Sequence, residues 1–485
     1  MSWEGLRAEL CQLPDLPWAS KNRSLLSCLP SKGEKSTMKR TPSLSELLKY
    51  LPAVVILLLS VGLTHSESLK PAKPSAIGLS GDRLSRITSA MESDVAAGRI
   101  AGAVGLVARK GQLAYFEARG KADRERGVAM QPDTIFRIYS MSKPITSVAL
   151  MMLYEEGLFR LSDPVTKYLP ELDNLMVLVD DQADKRGGRT GVDVLLSDGG
   201  PPDISPDEYR LVKVDRDITV QDLLRHTSGF TYGFSENALV DRMYRKAKVL
   251  DFDKNLAEMT AALSKLPLKY HPGTRFEYSV SVDVQGRLVE VLSGMPFDEF
   301  LRKRIFEPLK MADTGFYVPE SKLHRFAQIY RPTEGNKGIE PRGGELVTRY
   351  TAKPALLSGG GGLVSTASDY LCFCQMLLNE GELNGVRLLS RKTVELMTID
   401  HLAATGVERG GGYGFGLGFA VAADLARSGL NGSLGEYNWG GAAGTRFWID
   451  PREKMIGIYM VQILPHAGLL YGDTFKLLAY QSIAD

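Results

Sequence analysis

Two clusters of β-like sequence stand at opposite ends of this chain with a long helical stretch between them, and that split limits the fold of its 485 residues more than any other feature. Near the start, Ala101 to Ala108 and Leu113 to Ala118 read as strands, joined by Lys110-Gly111-Gln112 as a hairpin. An amphipathic run, Leu84 to Ala97, precedes them with Leu84, Ile87, Met91 and Val95 at helical spacing. Near the end, Phe415 to Val421, Thr445 to Ile449 and Ile456 to Gln462 read as strands, and Asp473 to Ile483 as a closing helix. From Leu161 to about Lys353 helical patterns predominate, among them Val220 to Arg225, Leu256 to Leu266, Val282 to Leu292 and Phe297 to Phe306. The expected class is α+β: an antiparallel sheet covered by the terminal helices, with a mainly helical inserted lobe and a cleft between the two, where active sites commonly lie. The segment Asp180 to Asp207, rich in Asp, Gly, Pro and Arg, reads as an exposed excursion. Val177 to Val179 and Leu211 to Val214 are placed to pair as a ribbon beneath it. No repeat of 20 to 50 residues is visible, which excludes solenoids and propellers.

Composition supports one substantial core. The chain is 44% hydrophobic and 24% charged, and a formal net charge of +2 argues against a nucleic-acid partner. Lys39 and Arg40 precede an apolar run from Tyr50 to Leu63 and then Thr64-His65-Ser66, the order of a signal peptide. The run is shorter than the roughly twenty residues a spanning helix needs, so no stable membrane span is expected. This divides the chain into an upstream extension at 1–37, a signal peptide at 38–66, a Pro/Ser/Lys-rich linker at 67–82 and a catalytic domain at 83–485. The α/β lobe takes about 83–160 and 354–485, and the helical lobe about 161–353. The expected location is periplasmic or secreted. Of the four cysteines, Cys372 and Cys374 fall in the domain, on one helical stretch where they point to different faces. No second cysteine pair or histidine cluster accompanies them, so they read as small buried residues, and no metal or other cofactor is expected.

The chemistry centres on Phe136 to Thr146, where a strand-like approach gives way to a helical run from Pro144 to Leu158. Ser140 and Lys143, three apart, lie on one helical face, so hydroxyl and amine can meet. A serine hydroxyl is a weak nucleophile until a base takes its proton, and a lysine in a partly desolvated cleft is one such base. Two other stretches offer partners. The turn His271-Pro-Gly-Thr delivers Tyr278 ahead of a helix, and a phenol facing the lysine can relay a proton. The small residues of Tyr437-Asn-Trp-Gly-Gly-Ala-Ala-Gly-Thr445 allow close backbone approach, so an N–H from this edge can pair with that of Ser140 as an oxyanion hole.

In this order the motifs resemble those of the serine β-lactamase and penicillin-binding superfamily, most closely its class C-like branch and the family VIII carboxylesterases. The resemblance covers about residues 83 to 485. It rests on Ser140-Met-Ser-Lys143, Tyr278-Ser-Val280 and Trp439-Gly-Gly441, with Leu223 to Gly229 and Gly361 to Asp369 as further similar segments. It implies the β-lactamase-like fold, with Ser140 as nucleophile, Lys143 and Tyr278 as its activating pair, and the N–H groups of Ser140 and Ala442 as oxyanion donors. Where the lactam-recognising branch has asparagine and lysine, this chain has Val280 and Trp439. Trp439 brings an apolar face and no charge, which disfavours an anionic lactam and leaves neutral esters welcome.

The reading is therefore a serine carboxylesterase for neutral short- to medium-chain esters, working through an acyl-enzyme, with slow β-lactam hydrolysis as a side activity. Trp439, Gly440, Gly441, Tyr232, Phe234 and Val280 are the candidate substrate-binding residues. A β-lactamase or D-amino-acid peptidase of the same fold, and a non-catalytic binding protein, are the alternatives. The partner is a small-molecule ester; oligomeric state is not legible. A Ser-His-Asp hydrolase is disfavoured because no G-x-S-x-G occurs, Gly233-Phe-Ser-Glu-Asn237 lacking the last glycine. His226, in the His-Thr-Ser-Gly turn, reads as structural, and the remaining histidines of the six lack metal-ligand spacing.

Overall fold

A computed structural model describes residues 69–180, 187–195, 203–343, 349–466 and 471–485. The signal-like segment and part of the excursion lie outside them. Among the described residues the first α-helix is α1 (Gly81–Ala96), capped by the Ser80 hydroxyl, which accepts from the Arg83 N–H. Strands β1 (Gly102–Arg109) and β2 (Gln112–Asp123) follow as a hairpin. Its turn residues Lys110 and Gly111 both have positive φ, the pattern that matches the twist of paired strands. After β3 (Val128–Ala129) come helices α2 (Ser142–Glu155), α3 (Ser281–Ser293) and α4 (Ala367–Leu378). Strands β4 (Tyr413–Phe415), β5 (Ala420–Ala422), β6 (Tyr437–Gly440), β7 (Arg446–Asp450) and β8 (Met455–Met460) precede helix α5 (Tyr471–Tyr480). The sheet runs β4-β5-β6-β7-β8-β1-β2-β3, with every neighbour antiparallel. The two ends of the chain thus meet at β8 and β1, where Leu106 sits opposite Ile458.

Both faces of the central strands are covered, so their residues divide by parity. Ile456, Ile458 and Met460 face the main core with Leu106 and Phe447. Met455 and Tyr459 face the other way, against Leu84, Ile87 and Met91 of α1 and Phe475 of α5. Gly457 leaves room on that face for Trp448: a Cβ there would stand 2.1 Å from the indole. Helix α2 is the axis of the inner core, buried at every residue from Ser142 to Leu153. That explains why it carries apolar residues all round rather than one stripe. Ser147 ties it to α3 by donating to Gln285 Oε1 over 2.9 Å.

The ribbon beneath the excursion forms as read, Met176–Val179 pairing with Arg210–Lys213 in the register Val177 to Val212. Two expectations need correction. Residues 71–80 are no free linker: Ala72 N–H donates to Leu113 O, Ser80 N–H to Ser482 O, and Ile77 and Leu79 are buried in the α1–α5 layer. Proline and serine make that stretch look unstructured, but two apolar anchors suffice to dock it. Phe415 to Val421 is two strands, not one, because Gly418, at φ 101°, lets the chain reverse between β4 and β5. Among the described residues no helix is long and apolar enough to cross a membrane. Cys372 and Cys374 lie on α4 and form no disulfide among the described residues, and Cys374 is buried.

Candidate active site

Ser140 sits on a tight turn from strand to helix. Phe136–Arg137 pairs with Val364–Ser365, and the Ile138 N–H donates to Leu363 O over 3.0 Å. The chain then turns through Tyr139 at φ 41°, a left-handed value that non-glycine residues seldom adopt, and continues as one 3-10 turn, Tyr139–Met141, into α2. Such local strain persists only where the surroundings over-determine it. Here the Tyr139 ring packs edge-on against Tyr350, Tyr370 donates to Met141 O, and the Leu363 N–H donates to Ser142 Oγ. The turn leaves Ser140 partly exposed while the lysine one turn on is buried.

Lys143 is 1% exposed, and its amino group has three acceptors. It lies 3.4 Å from Ser140 Oγ, 2.8 Å from the Tyr232 hydroxyl and 2.5 Å from the Gly360 carbonyl. A second layer stands behind these. The buried Asp283 carboxylate accepts from Ser358 Oγ over 2.5 Å, from the Gly360 N–H over 3.1 Å, and from Tyr232 over 3.5 Å. Burial pushes the Asp283 carboxyl above its ordinary value, and Lys143 pulls it back down. Burial, then the neighbouring Asp283, raise the Tyr232 phenol well above the usual tyrosine range, so it stays protonated beside the amine.

Tyr278 is in the site but in another orientation from the one expected. Its ring face, not its hydroxyl, is presented to Lys143, with Nζ 4.5 Å from the centroid. The ring is 5.2 Å from that of Tyr232, 5.5 Å from Trp439 and 5.0 Å from His226. Phe234 stacks on Tyr232 at 4.9 Å and on Tyr278 at 6.2 Å. Tyr232, read as pocket lining, therefore also holds the lysine directly. Val280, read as substrate-binding, is 1% exposed and packs in the main core where α3 begins. An apolar side chain at that point gains more from the core than from the cleft, so the structure places it behind the site. His226 is buried and accepts the Ser279 N–H at Nδ1 over 3.3 Å. Burial first, then Lys143 and Arg409, hold its imidazole well below the ordinary range, a neutral packing residue as the sequence suggested.

The glycine-rich edge comes to the serine turn as expected. Gly440 ends β6, and Gly441 N–H donates to Thr445 O over 2.7 Å to close a tight turn. A Cβ on Gly441 would stand 2.4 Å from Ile138 O, so only glycine lets this edge lie against the residues ahead of Ser140. Next in line, Ala442 has its carbonyl fixed by a 2.8 Å hydrogen bond from His466 Nδ1. Sequence reasoning missed Asp283, Gly360 and Arg409, whose guanidinium lies 5.4 Å from the Trp439 ring centroid. A serine beside a buried lysine, with backbone amides nearby and an aromatic wall of Tyr232, Phe234, Tyr278 and Trp439, is an arrangement suited to nucleophilic attack on an acyl group. Among the described residues no group of three His, Cys, Asp or Glu is placed to hold a metal ion.

Comparison with known proteins gives the family. The family profile described as Beta-lactamase matches residues 87–481. Protein Rv1367c of Mycobacterium tuberculosis is 38% identical over 76% of this chain and 87% of its own length. Esterase EstB of Burkholderia gladioli is 30% identical over 78% of this chain and 90% of its own. Among solved structures, EstCE1, described as a hydrolase with promiscuous acyltransferase activity, superposes with a TM-score of 0.68 at 26% identity, covering 82% of this chain and 99% of that one. This chain therefore belongs to the beta-lactamase family of serine hydrolases and has the β-lactamase-like fold.

Proposed function

We propose that the protein is a carboxylesterase that hydrolyses short- to medium-chain carboxylic esters through an acyl-enzyme on Ser140. The observation that carries the reading is the 3.4 Å approach of Lys143 Nζ to Ser140 Oγ in a buried, aromatic setting. Ser140 Oγ attacks the ester carbonyl carbon while its proton passes to the Lys143 and Tyr278 pair. The N–H groups of Ser140 and Ala442 hold the oxyanion of the tetrahedral intermediate. Collapse breaks the bond to the alcohol, which leaves with the transferred proton; water then attacks the acyl-serine by the same route and releases the carboxylic acid. Trp439 in place of a lysine supports a substrate that is neutral beside the reacting carbonyl. Trp439, Gly440, Gly441, Tyr232 and Phe234 are the proposed walls of the acyl site.

A panel of p-nitrophenyl esters from acetate to dodecanoate, with nitrocefin beside it, tests this on wild type and Ser140→Ala. Hydrolysis of the shorter esters that vanishes in the variant is the expected result. Nitrocefin turned over faster than every ester would move the reading to a β-lactamase. Export, read from Met38 to Ser66, belongs to the same proposal. N-terminal sequencing of protein recovered outside the cytoplasm should find Lys39 and Arg40 removed, and their retention would count against a cleaved signal.

A further inference from the structure

Arg409 carries a positive charge that no ion pair neutralises among the described residues. Its guanidinium carbon lies 5.4 Å from the Trp439 ring centroid, 5.7 Å from Tyr413 and 6.0 Å from Phe276, within cation–π reach of all three. Among the described residues no carboxylate stands within ion-pair distance of it, and the acids on, or hydrogen-bonded to, the segments it touches are engaged elsewhere. Glu408 faces Arg427 at 3.6 Å; Asp400 accepts the N–H groups of Leu402 and Phe415; Glu277 takes Lys269 at 2.6 Å. The residue is half-buried, and burial lowers its pKa from the usual arginine value while Tyr413 and Tyr278 oppose that. A guanidinium stays protonated throughout, so the site holds a partly desolvated cation without a counter-ion, which is costly unless a ligand supplies one.

A second unfilled donor stands next to it. The Trp439 Nε1–H is buried and has no acceptor among the described residues. Both donors connect to the serine through consecutive contacts: Arg409 covers Trp439, Trp439 lies 5.5 Å from Tyr278, and Tyr278 faces Lys143 at 4.5 Å. The positive charge that Trp439 does not bring to the site is thus present one aromatic ring further from Ser140. An arginine there matches a planar, bidentate acceptor.

We propose that Arg409, with the Trp439 Nε1–H beside it, binds a carboxylate carried by the ester substrate at a distance from the scissile bond. The inference rests on the esterase reading and narrows it: the natural substrates are esters that are neutral at the reacting carbonyl and acidic further along. A purely structural arginine, stacked to brace the aromatic wall, would leave charged and neutral esters alike.

The test compares matched pairs on the full chain. One pair places the charge on the acyl side, p-nitrophenyl hydrogen glutarate against p-nitrophenyl pentanoate; the other places it on the alcohol side, 3-(butanoyloxy)benzoate against phenyl butanoate. Wild type should prefer the charged member of one pair by about tenfold or more in kcat/KM, through KM, with the preference shrinking as salt is added. In Arg409→Gln that ratio should fall close to one, and Arg409→Lys should keep part of it. No preference in either pair while the neutral members are hydrolysed, or a preference that survives Arg409→Gln, overturns the inference and leaves the esterase reading standing. If no ester is hydrolysed at all, calorimetric titration of monomethyl glutarate into Ser140→Ala and into Ser140→Ala/Arg409→Gln still decides it. Binding to the first and not the second supports the Arg409 site, whereas equal binding, or none to either, overturns it.

Discussion

Lys143 gives a 2.8 Å hydrogen bond to the Tyr232 hydroxyl and meets Tyr278 across its ring face, 4.5 Å from the centroid. The two tyrosines therefore meet the lysine differently. Tyr232 is protonated, buried and tied on one side to the amine and on the other to Asp283, which suits it to hold the lysine in place. Tyr278 is half-buried with its ring between Lys143 and Trp439, and the proposed mechanism gives its hydroxyl a share in proton transfer.

Removing each hydroxyl separates these roles. In Tyr278→Phe, kcat for p-nitrophenyl butanoate should fall by about 100-fold or more, the scale of a lost general acid–base group. In Tyr232→Phe the lysine keeps Gly360 and loses one acceptor, so a fall of about tenfold with little change in KM is expected. The reverse order would make Tyr232 the proton carrier.

Asp283 is expected to act through position and charge rather than by touching substrate. Asp283→Asn keeps the acceptor toward Ser358 and removes the negative charge behind Lys143. The pH profile of kcat/KM should shift while the folded structure, followed by near-ultraviolet circular dichroism, is retained. An unshifted profile with normal activity would show the carboxylate to be a packing element.

How much of this could be read in the chain depends on how far apart the partners lie. Ser140 and Lys143 are one helical turn apart, and local geometry alone brings them together. Tyr278 and Trp439 were found because each sits in a short stretch with a recognisable turn or glycine pattern. Tyr232 was marked as an aromatic in the right loop, but its hydrogen bond to Lys143 spans 89 positions and depends on how the inserted lobe folds back. Asp283 looked like a polar residue on an amphipathic helix; only the packing of α3 beside α2 reveals that it is fully buried next to a lysine. Arg409 lies in a glycine-rich loop with no pattern, and its significance comes from three rings contributed by three separate segments. The docked stretch at 71–80 was misjudged for the opposite reason, since its composition is that of a linker and its two anchors are single residues.

The close approach at Gly441 makes a sharp test of the proposed oxyanion edge. Gly441→Ala would set a Cβ 2.4 Å from Ile138 O, pushing the turn away and moving the Ala442 N–H with it. The expected loss in kcat is about 100-fold or greater, the range for removing one oxyanion donor, with KM changed far less. Retained activity would place the second donor elsewhere.

Stability should depend on pH through Asp369. Burial pushes its carboxyl up from 3.8 to about 6, although it accepts the Asp313 N–H over 2.7 Å and the Thr314 hydroxyl over 2.9 Å. The folded chain binds this proton more tightly than the unfolded one, so the contribution is complete below 3.8 and is lost as pH rises through about 6. The loss is on the order of 3 kcal/mol. Urea unfolding of Asp369→Asn should show a flatter dependence than wild type between these values; parallel curves would count against it.

The inner core should behave as its burial implies. Leu150 is fully buried on α2, and Leu150→Ala should cost about 2–5 kcal/mol in urea unfolding. A cost below 1 kcal/mol would mean that α2 is not the packed axis described here.

The most direct test of Ser140 as the nucleophile is covalent labelling with a fluorophosphonate probe, followed by intact mass and peptide mapping. Wild type should gain one adduct, mapped to Ser140, in step with the loss of ester hydrolysis, while Ser140→Ala gains none. An adduct on another residue, or hydrolysis undiminished in Ser140→Ala, would contradict the account.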